Sequence, residues 1–333
     1  MKEFAYSLTS LKGQRLLITG GLGFIGSNLA HRCLELGAKV TIYDCLDPKS
    51  GGNMFNVKEI EDSLEIILND IRNFEGVSAC IRSQDVLFNC AAYTSHPNSM
   101  KEPLIDIEVN CKGVINLLEA ARRFNLELKI VHIGTSTQIG RMQFNPVDER
   151  HPEFPMDIYS ANKTASEKYI LIYGSAYQMN TTVVRLANVF GPRSNIKSPD
   201  FGFMNYFIGL ALQDKDLTVF GQGSQLRNIS YVDDCVEALI LASQNEASNG
   251  QVLFAVADRQ YSVMEISQAI VSNIGGRVRT IEWPKDREVI DIGDAVISNE
   301  KIKAVLHWAP RHSLAEGLIK TAEYFRPCLS KYL

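Results

Sequence analysis

The 333-residue sequence has little excess charge of either sign, because 34 lysines and arginines face 38 acidic residues, which leaves a formal net charge of -4. A nearly balanced chain has no general electrostatic reason to bind nucleic acid or an anionic membrane, so we predict neither as a partner. No apolar run approaches the roughly eighteen residues that span a bilayer. The first residues, 1–6, also lack the apolar core of a secretory signal. We therefore expect a cytoplasmic protein.

Cysteine pairs and histidine clusters are missing. Seven cysteines are scattered from residue 33 to residue 328 without a CxxC pair, and the six histidines do not cluster. This pattern favours reduced thiols and predicts no structural metal. The chain also lacks internal repeats, low-complexity tracts and a long linker. These absences argue against independent modules joined by flexible chain.

The most informative segment that is present combines a strand pattern ending at Thr19, three glycines and a helical pattern over 24–36. A strand, a glycine turn and a helix in this order are typical of a dinucleotide site. The first glycine would permit a tight turn, the second would let the backbone approach a pyrophosphate, and the third would let the helix pack closely. Amide groups at the start of the helix would hold the phosphates. The predicted cofactor-binding residues of this turn are Gly20, Gly23, Phe24, Ile25 and Gly26.

Asp44 ends a second predicted strand, over 39–43, about twenty residues after the glycine turn. A carboxylate at this place would accept hydrogen bonds from the adenosine ribose hydroxyls. Its negative charge would repel a ribose 2′-phosphate, and no arginine immediately follows it, which favours NAD over NADP. The alternative interpretation is a solvated turn residue that leads into Asp47 and Pro48.

Short apolar or β-branched runs alternate with helical patterns through the first half of the chain. This alternation predicts an α/β fold, a doubly wound parallel sheet (Rossmann) with helices on both faces. Predicted helices cover 107–124 and 157–177. The predicted strands are 16–19, 40–43, 65–68, 86–89, 129–133 and 181–186.

Beyond residue 190 the pattern becomes less regular and predicts a smaller, discontinuous C-terminal substrate domain. We place the NAD-binding domain at 1–190 and the smaller domain at 191–225 and 253–333. The stretch 228–243 is typical of a strand that enters a helix, so we expect 226–252 to return to the main sheet. A helix is also predicted over 203–213.

Tyr159 and Lys163 lie four residues apart in the predicted helix 157–177, and therefore on one helical face. A neighbouring lysine and a positively charged nicotinamide would favour the phenolate of the tyrosine, which could then remove a hydroxyl proton. Taken alone, such a pair is more often an exposed helical pair. Here, however, the fifth predicted strand leads into the hydroxyl-rich segment 134–137, at the sheet edge where doubly wound folds bind ligands.

Together, these motifs resemble the extended short-chain dehydrogenase/reductase family. In that resemblance Thr135 matches the catalytic hydroxyl, with Ser136 as the alternative, and Tyr159 and Lys163 complete the catalytic set. Ile139 stands where the family usually has a tyrosine. The resemblance also implies further cofactor contacts at Asp70, Ile71, Ala91, Ala92 and Asn110. The alternative roles of these residues are a helix cap, a close-packed core residue or a buried hydrogen-bonded group.

Two downstream segments, 185–193 and 221–234, resemble signatures of family members that act on nucleotide-diphosphate sugars. The resemblance implies that Asn188 contacts the substrate diphosphate and that Arg227 neutralises it. Asn228 stands where the family usually has an aspartate. Arg287 is a second diphosphate candidate, with a solvated surface arginine as the alternative. The predicted substrate-binding residues are Ser136, Thr137, Asn188, Arg227 and Arg287.

The residues after the catalytic hydroxyl distinguish the reactions of this family. The 4,6-dehydratases typically carry Asp-Glu there and the glucuronate decarboxylases keep a Glu, whereas this chain has Ser136 and Thr137. The resemblance therefore favours a NAD-dependent epimerase that inverts C4 of a nucleotide sugar through a transient 4-keto intermediate. The alternatives are a decarboxylase, a 4,6-dehydratase or a 4-dehydrogenase/reductase of the same family, and a non-catalytic NAD-sensing protein.

The family resemblance also implies a homodimer through the helices near 107–124 and 157–177. No residue of the chain identifies the nucleotide or the sugar. We expect the loops 93–97 and 194–203 to decide which nucleotide sugar is bound.

Overall fold

The computed structural model describes residues 8–284 and 292–333. Its α-helices are α1 (Phe24–Glu35), α2 (Phe74–Ile81), α3 (His96–Lys101), α4 (Pro103–Ile107), α5 (Val114–Phe124), α6 (Ile158–Tyr177), α7 (Phe203–Leu212), α8 (Val232–Gln244), α9 (Val263–Asn273), α10 (Glu300–Leu306) and α11 (Leu314–Phe325). Its strands are β1 (Arg15–Thr19), β2 (Lys39–Asp44), β3 (Leu64–Leu68), β4 (Val86–Asn89), β5 (Lys129–Thr135), β6 (Thr181–Leu186), β7 (Asn188–Phe190), β8 (Asp216–Phe220), β9 (Leu226–Tyr231), β10 (Val252–Ala255), β11 (Gln260–Ser262) and β12 (Arg277–Ile281).

The main layer is a seven-stranded parallel sheet with the order β10-β6-β5-β4-β1-β2-β3. Its central strands are rich in β-branched and leucine residues and are buried, as strands covered on both faces require. The register pairs Thr19 with Tyr43 on one side and with Asn89 on the other, so the carboxyl ends of β1, β2 and β4 are level. The predicted doubly wound parallel sheet is confirmed.

Helices cover both faces of this sheet. On one face α1 and α8 pack together, and Leu29, Cys33 and Leu239 belong to a large apolar core that includes Ile18 of β1. On the other face α2, α5 and α6 bury a second core around Leu117 and Leu87. The order of the strands reverses its direction between β1 and β4. Ligands of doubly wound sheets bind at such a point, outside the carboxyl ends of the strands.

The predicted helix over 107–124 is interrupted. An α-helix at Pro103–Ile107 passes into a π-helical turn at Glu108–Gly113 before α5 begins. Ile71 packs closely against this turn, because a Cβ on Gly113 would lie 2.5 Å from the Cδ1 atom of Ile71. Apolar spacing alone does not distinguish such a π-turn from a regular helix, and π-turns are frequent near functional sites.

The smaller part contains a three-stranded sheet, β11-β9-β7, and a two-stranded sheet, β12-β8. The strand expected to return to the main sheet ahead of α8 therefore lies elsewhere: β9 pairs with β7 and β11. The helix α8 that follows does pack against β5 and β6, and β10 joins the main sheet beside β6. A strand and the helix that it enters thus contact different sheets, which sequence pattern does not reveal. The domain bounds stay a prediction.

Among residues 8–284 and 292–333, no helix combines the length and the apolar character needed to cross a membrane.

Candidate active site

A cleft of about 390 Å³ lies at the carboxyl ends of the central strands and extends toward the segments after β6. It collects predicted residues from distant parts of the chain. Asn110 is absent from its lining, and Arg287 lies outside the described residues. The predicted residues that line the cleft are Gly20, Gly23, Phe24, Ile25, Gly26, Asp44, Asp70, Ile71, Ala91, Ala92, Thr135, Ser136, Thr137, Tyr159, Lys163, Asn188 and Arg227.

The glycine turn has the shape that a pyrophosphate requires. Gly20 has a φ of 66°, and a Cβ on it would lie 2.7 Å from the amide nitrogen of Ala91. A Cβ on Gly26 would overlap the carbonyl oxygen of Gly20, so only glycine lets α1 approach β1 this closely. Gly23 precedes α1 without a side-chain cap. The first amides of α1 are therefore available to an anion, and the residues fit a dinucleotide.

Asp44 is fixed at the end of β2 by the backbone of the turn. Its Oδ2 accepts the amide of Leu22 at 3.0 Å, and its Oδ1 accepts the amide of Leu46 at 2.8 Å. Burial raises the pKa of Asp44, although these amide hydrogen bonds act in the opposite direction. Each carboxylate oxygen can accept a further hydrogen bond. The position fits a ribose diol.

Asp70 and Ile71 follow β3 at the same edge. Both Asp70 oxygens accept hydrogen bonds from the Arg72 guanidinium, at 3.0 and 2.6 Å. Burial opposes the ionisation of Asp70, but the hydrogen bonds from Arg72 outweigh it and lower the pKa. Ile71 is buried and supplies an apolar wall, and Ala91 and Ala92 also line the cleft. This part of the cleft fits the flat apolar face of an adenine.

Asn110, predicted to contact the cofactor, lies behind the cleft wall. Its side chain accepts the amide of Tyr93 at 3.1 Å and donates to the carbonyl of Tyr93 at 2.9 Å. It also donates to Asp106 at 2.9 Å. All these partners are protein groups and Asn110 is almost fully buried, so its side chain supports the Tyr93 backbone, and its contact with a cofactor stays a prediction. The buried, hydrogen-bonded alternative describes it.

A cluster of hydroxyl groups surrounds Tyr159. The Thr135 hydroxyl hydrogen-bonds the Tyr159 phenol and lies 3.1 Å from the hydroxyl of Thr137. Ser160 donates to the same Thr137 oxygen at 2.9 Å. Ser136, the alternative for the catalytic hydroxyl, also lines the cleft. The geometry therefore favours Thr135, because its hydroxyl and the phenol contact each other.

Gln138 positions this cluster and was missed by the sequence analysis. Its side-chain oxygen accepts the amide of Thr135 at 3.1 Å, and its amide donates to Glu167 at 3.2 Å. Glu167 is itself held by two hydrogen bonds from Arg185, at 2.8 and 2.6 Å. The ion pair is almost fully buried, so the active-site turn rests on a rigid base. A buried glutamine three residues after a threonine cap would have been the only sequence signal.

Lys163 is held by the strand that carries Thr135. Its ammonium donates to the carbonyl of Ile133 at 2.6 Å and lies 3.3 Å from Nε2 of the buried His132. Burial lowers the pKa of Lys163 to about 8, while the charge of Glu167 acts in the opposite direction. The lysine thus lies below Tyr159 on the same helical face, as its spacing predicted.

Burial and nearby charges act on the acidity of the Tyr159 phenol. Burial raises the pKa of Tyr159 well above its ordinary value, and the charge of Asp106 acts in the same direction, whereas the hydrogen bond from Thr135 acts against it. In the protein alone the phenol therefore stays protonated at neutral pH. The phenolate expected from Lys163 together with a positively charged nicotinamide stays a prediction.

The far side of the cleft is built from segments after β6. Asn188 begins β7 and donates to the carbonyl of Asn228 at 3.2 Å. Arg227, on β9, donates to the carbonyls of Leu226 and Gly293, at 2.9 and 2.6 Å. Both side chains line the cleft, so they lie where a substrate would be placed against the cofactor.

A second polar pair, made by His96 in the cleft lining and Asp157 behind it, was also missed as a pair. His96 lies in the loop 93–97 that we expected to decide substrate choice, but nothing in the sequence connects it to a residue 61 positions later.

Residues 16–257 match the model of the NAD dependent epimerase/dehydratase family. A UDP-glucose 4-epimerase from Mycolicibacterium smegmatis is 32% identical over 315 residues, which cover 94% of this chain and 98% of that protein. A UDP-N-acetyl-alpha-D-glucosaminuronate decarboxylase from Bacillus cytotoxicus is 31% identical over 323 residues, which cover 94% of this chain and 98% of that protein.

A solved structure is similar over nearly the whole fold. The UDP-glucose 4-epimerase of Thermus thermophilus, in complex with NAD, superimposes with a TM-score of 0.84 at 29% identity and covers 95% of this chain and 100% of its own.

Proposed function

Because the chain belongs to the NAD-dependent epimerase/dehydratase family, we propose that it is a NAD-dependent epimerase of a nucleotide-diphosphate sugar, which inverts C4 through a transient 4-keto sugar. The observation that carries the proposal is the convergence of three elements on one cleft. The dinucleotide turn after β1, the hydroxyl cluster after β5 and the Tyr159–Lys163 pair on α6 all line it. Curated relatives that are UDP-glucose 4-epimerases support the same reaction.

Different residues of the protein would bind the cofactor and transfer the proton. Amides at the start of α1 would hold the pyrophosphate of NAD, Asp44 its adenosine ribose, and Ile71 and Ala91 its adenine. When bound, NAD supplies a positively charged nicotinamide that accepts the hydride of C4 and returns it. Tyr159 takes the proton of the 4-hydroxyl and later gives it back, and Thr135 hydrogen-bonds the same oxygen.

Neutral side chains after Thr135 favour epimerisation over the family's other reactions. Ser136 and Thr137 carry no carboxylic acid that could protonate a leaving hydroxyl, and the Thr137 hydroxyl already accepts a hydrogen bond from Ser160. A decarboxylase of the same family remains the second candidate, because one relative with 31% identity has that activity.

On the substrate side we propose that Asn188 and Arg227 hold the diphosphate, with Arg287 as a further contact. Anchoring at the diphosphate would leave the sugar ring free to turn and present its other face to the cofactor. An arginine whose guanidinium is already bound to two carbonyls is well oriented for such an anion.

A panel of nucleotide sugars incubated with the purified protein and NAD tests the reaction. We expect a product of unchanged mass whose C4 configuration is inverted, identified by NMR. Loss of carbon dioxide, water or two hydrogens would instead identify a decarboxylase, a dehydratase or a dehydrogenase, and stoichiometric use of NADH would identify a reductase. NAD binding without turnover of any sugar would leave a cofactor-sensing protein.

We also propose a homodimer, in the cytoplasm, formed through the helices of 103–124 and 158–177. Apolar side chains on this surface are exposed: Leu104 by 75%, Ile107 by 43% and Ile172 by 54%. Light scattering of the purified protein should give twice the mass of one chain, and Leu104→Asp should shift it to the mass of a monomer. Cell fractionation tests the location.

A further inference from the structure

His96 lies at the start of α3, directly beside Tyr159. The two rings make an edge contact with centroids 4.8 Å apart and an interplanar angle of 75°. Ser99 of the same helix accepts the backbone amide of Tyr159 at 3.1 Å and donates to the carbonyl of His96 at 2.8 Å. His96 and Tyr159 both line the cleft. The imidazole is therefore held at a fixed position next to the phenol.

Asp157 orients this imidazole. Its Oδ2 lies 2.7 Å from Nδ1 of His96, and its Oδ1 caps α6 by accepting the Ser160 amide at 2.7 Å. Burial acts to raise the pKa of Asp157, but the hydrogen bond and charge of His96 and the bonds from Ser160 hold it below its ordinary value. An ionised carboxylate at Nδ1 places a proton on that nitrogen. The neutral ring then carries its lone pair on Nε2.

Nε2 of His96 has no hydrogen-bond partner among the residues that the structure describes, and 41% of the side chain is exposed. Because the ring lies in the wall of the cleft, this nitrogen is accessible to a bound ligand. An aspartate-oriented imidazole with an accessible Nε2 is the arrangement of a general base.

A second histidine–aspartate pair, outside the cleft, differs because both of its ring nitrogens have protein partners. His312 contacts Asp234 through Nδ1 at 2.9 Å, but its Nε2 lies 2.9 Å from the ammonium of Lys320. That pair lies away from the cleft lining, and Asp234 also accepts the backbone amides of Arg311 and His312. All its polar atoms are used within the protein.

We propose that His96 is a second acid–base group of this site, which removes and returns a proton at a carbon next to C4 while C4 is a ketone. The inference rests on the proposed function, since only oxidation at C4 makes the neighbouring C–H acidic. The C–H bond breaks and its proton goes to Nε2. Its electron pair forms the enolate double bond, while the carbonyl pair moves to the oxygen that Tyr159 and Thr135 hydrogen-bond.

Return of the proton from Nε2 restores the ketone, so there is no net oxidation or loss of atoms. Asp157 stabilises the imidazolium that forms and acts as a positioning residue. The site would thereby exchange a carbon-bound hydrogen with solvent, which hydride return at C4 alone cannot do. It would also be able to change the configuration of a second carbon if the proton returned to the other face.

The test uses UDP-4-keto-6-deoxyglucose in D2O, a probe that already carries the ketone and needs no hydride transfer. We expect the wild-type protein to place deuterium at C3 or C5, located by NMR, faster than the uncatalysed exchange. His96→Asn should slow this exchange by about 10² to 10⁴-fold, the usual contribution of a general base. Asp157→Asn should slow it by about 10²-fold or more, because asparagine still caps α6 but donates to Nδ1 and moves the proton to Nε2.

His312→Asn is the matched control and should exchange deuterium at the wild-type rate. Wild-type protein that binds the probe but exchanges no faster than buffer would overturn this inference and leave the epimerase proposal intact. The same holds if His96→Asn exchanges normally while Tyr159→Phe does not, since the phenol would then be the base. Failure to bind this probe and its dTDP, CDP and GDP counterparts, measured by calorimetry, would count against the proposed function itself and this inference with it.

Discussion

The two walls of the cleft are built in different ways. The wall formed by residues up to 186 consists of the ends of parallel strands in one register, where Gly20 and Gly26 allow contacts that a Cβ would block. The wall after residue 186 consists of side chains on short strands, such as Asn188 and Arg227, that are held by carbonyls from distant segments. The first wall fixes a cofactor and the reacting groups, whereas the second can vary with the substrate without disturbing the sheet.

Tyr159→Phe is the strongest test of this difference between the two walls. Removal of the phenolic oxygen on the first wall should lower turnover by about 10³-fold or more, because no proton acceptor remains at the 4-hydroxyl. NAD should still bind, since the ring and the packing against His96 are kept. The rate of product formation by NMR and the NAD content after denaturation check the two halves of this expectation. Wild-type turnover would remove Tyr159 from the mechanism.

Gly20→Ala should be the next most damaging change. The new Cβ meets the backbone of Ala91 at 2.7 Å in a residue with φ of 66°, so it should destabilise the protein by several kcal/mol, on the order of 3, and abolish NAD binding. Thermal unfolding and NAD titration measure both effects.

Gly13→Ala is the matched control for that variant. Gly13 has a φ of 82° but no atom within 4 Å of a built Cβ. Gly13→Ala should therefore lower the free energy of unfolding only by the backbone strain, about 1 to 2 kcal/mol, and should leave NAD binding unchanged. Equal losses in the two variants would show that the close approach of the glycine turn to β4 has no special role.

Lys163 gives the first wall a dependence on pH. Burial lowers its pKa to about 8 from 10.5, so the unfolded chain binds the proton more tightly than the folded protein between these values. The lysine should therefore make stability rise as pH increases from about 8 to 10.5, by on the order of 3 kcal/mol. The free energy of unfolding, measured with urea across this pH range, should rise in this way for the wild type but not for Lys163→Met. The same change with pH in both proteins would contradict the expectation.

The smallest of these effects belongs to the second wall. Arg227→Ala should weaken binding of the nucleotide sugar by about 10 to 100-fold, because a charge-assisted hydrogen bond to the diphosphate is lost. Affinity for NAD should stay within about twofold, since β9 contributes nothing to the glycine turn. Calorimetric titration with both ligands measures the contrast. Unchanged sugar affinity would place the diphosphate elsewhere in the cleft.

Local patterns predicted much of the first wall. The strands at 86–89 and 181–186 were located to the residue, and the glycine turn, Asp44 and Tyr159 all reach the cleft. Each of these depends on periodicity or spacing within some thirty residues. The predicted helix over 107–124 differs in one respect, because its residues 108–113 form a π-turn that apolar spacing does not indicate.

The sequence alone determined the parallel sheet, the dinucleotide turn and the pairing of Tyr159 with Lys163, because each is encoded by neighbours in the chain. Only the tertiary structure decided that Asn110 supports Tyr93 from behind the cleft, that β9 leaves the main sheet, and that His96 meets Asp157 across 61 residues. Hydrogen bonds between distant segments depend on how the layers pack. The identity of a side chain does not specify which distant partner the packing brings to it.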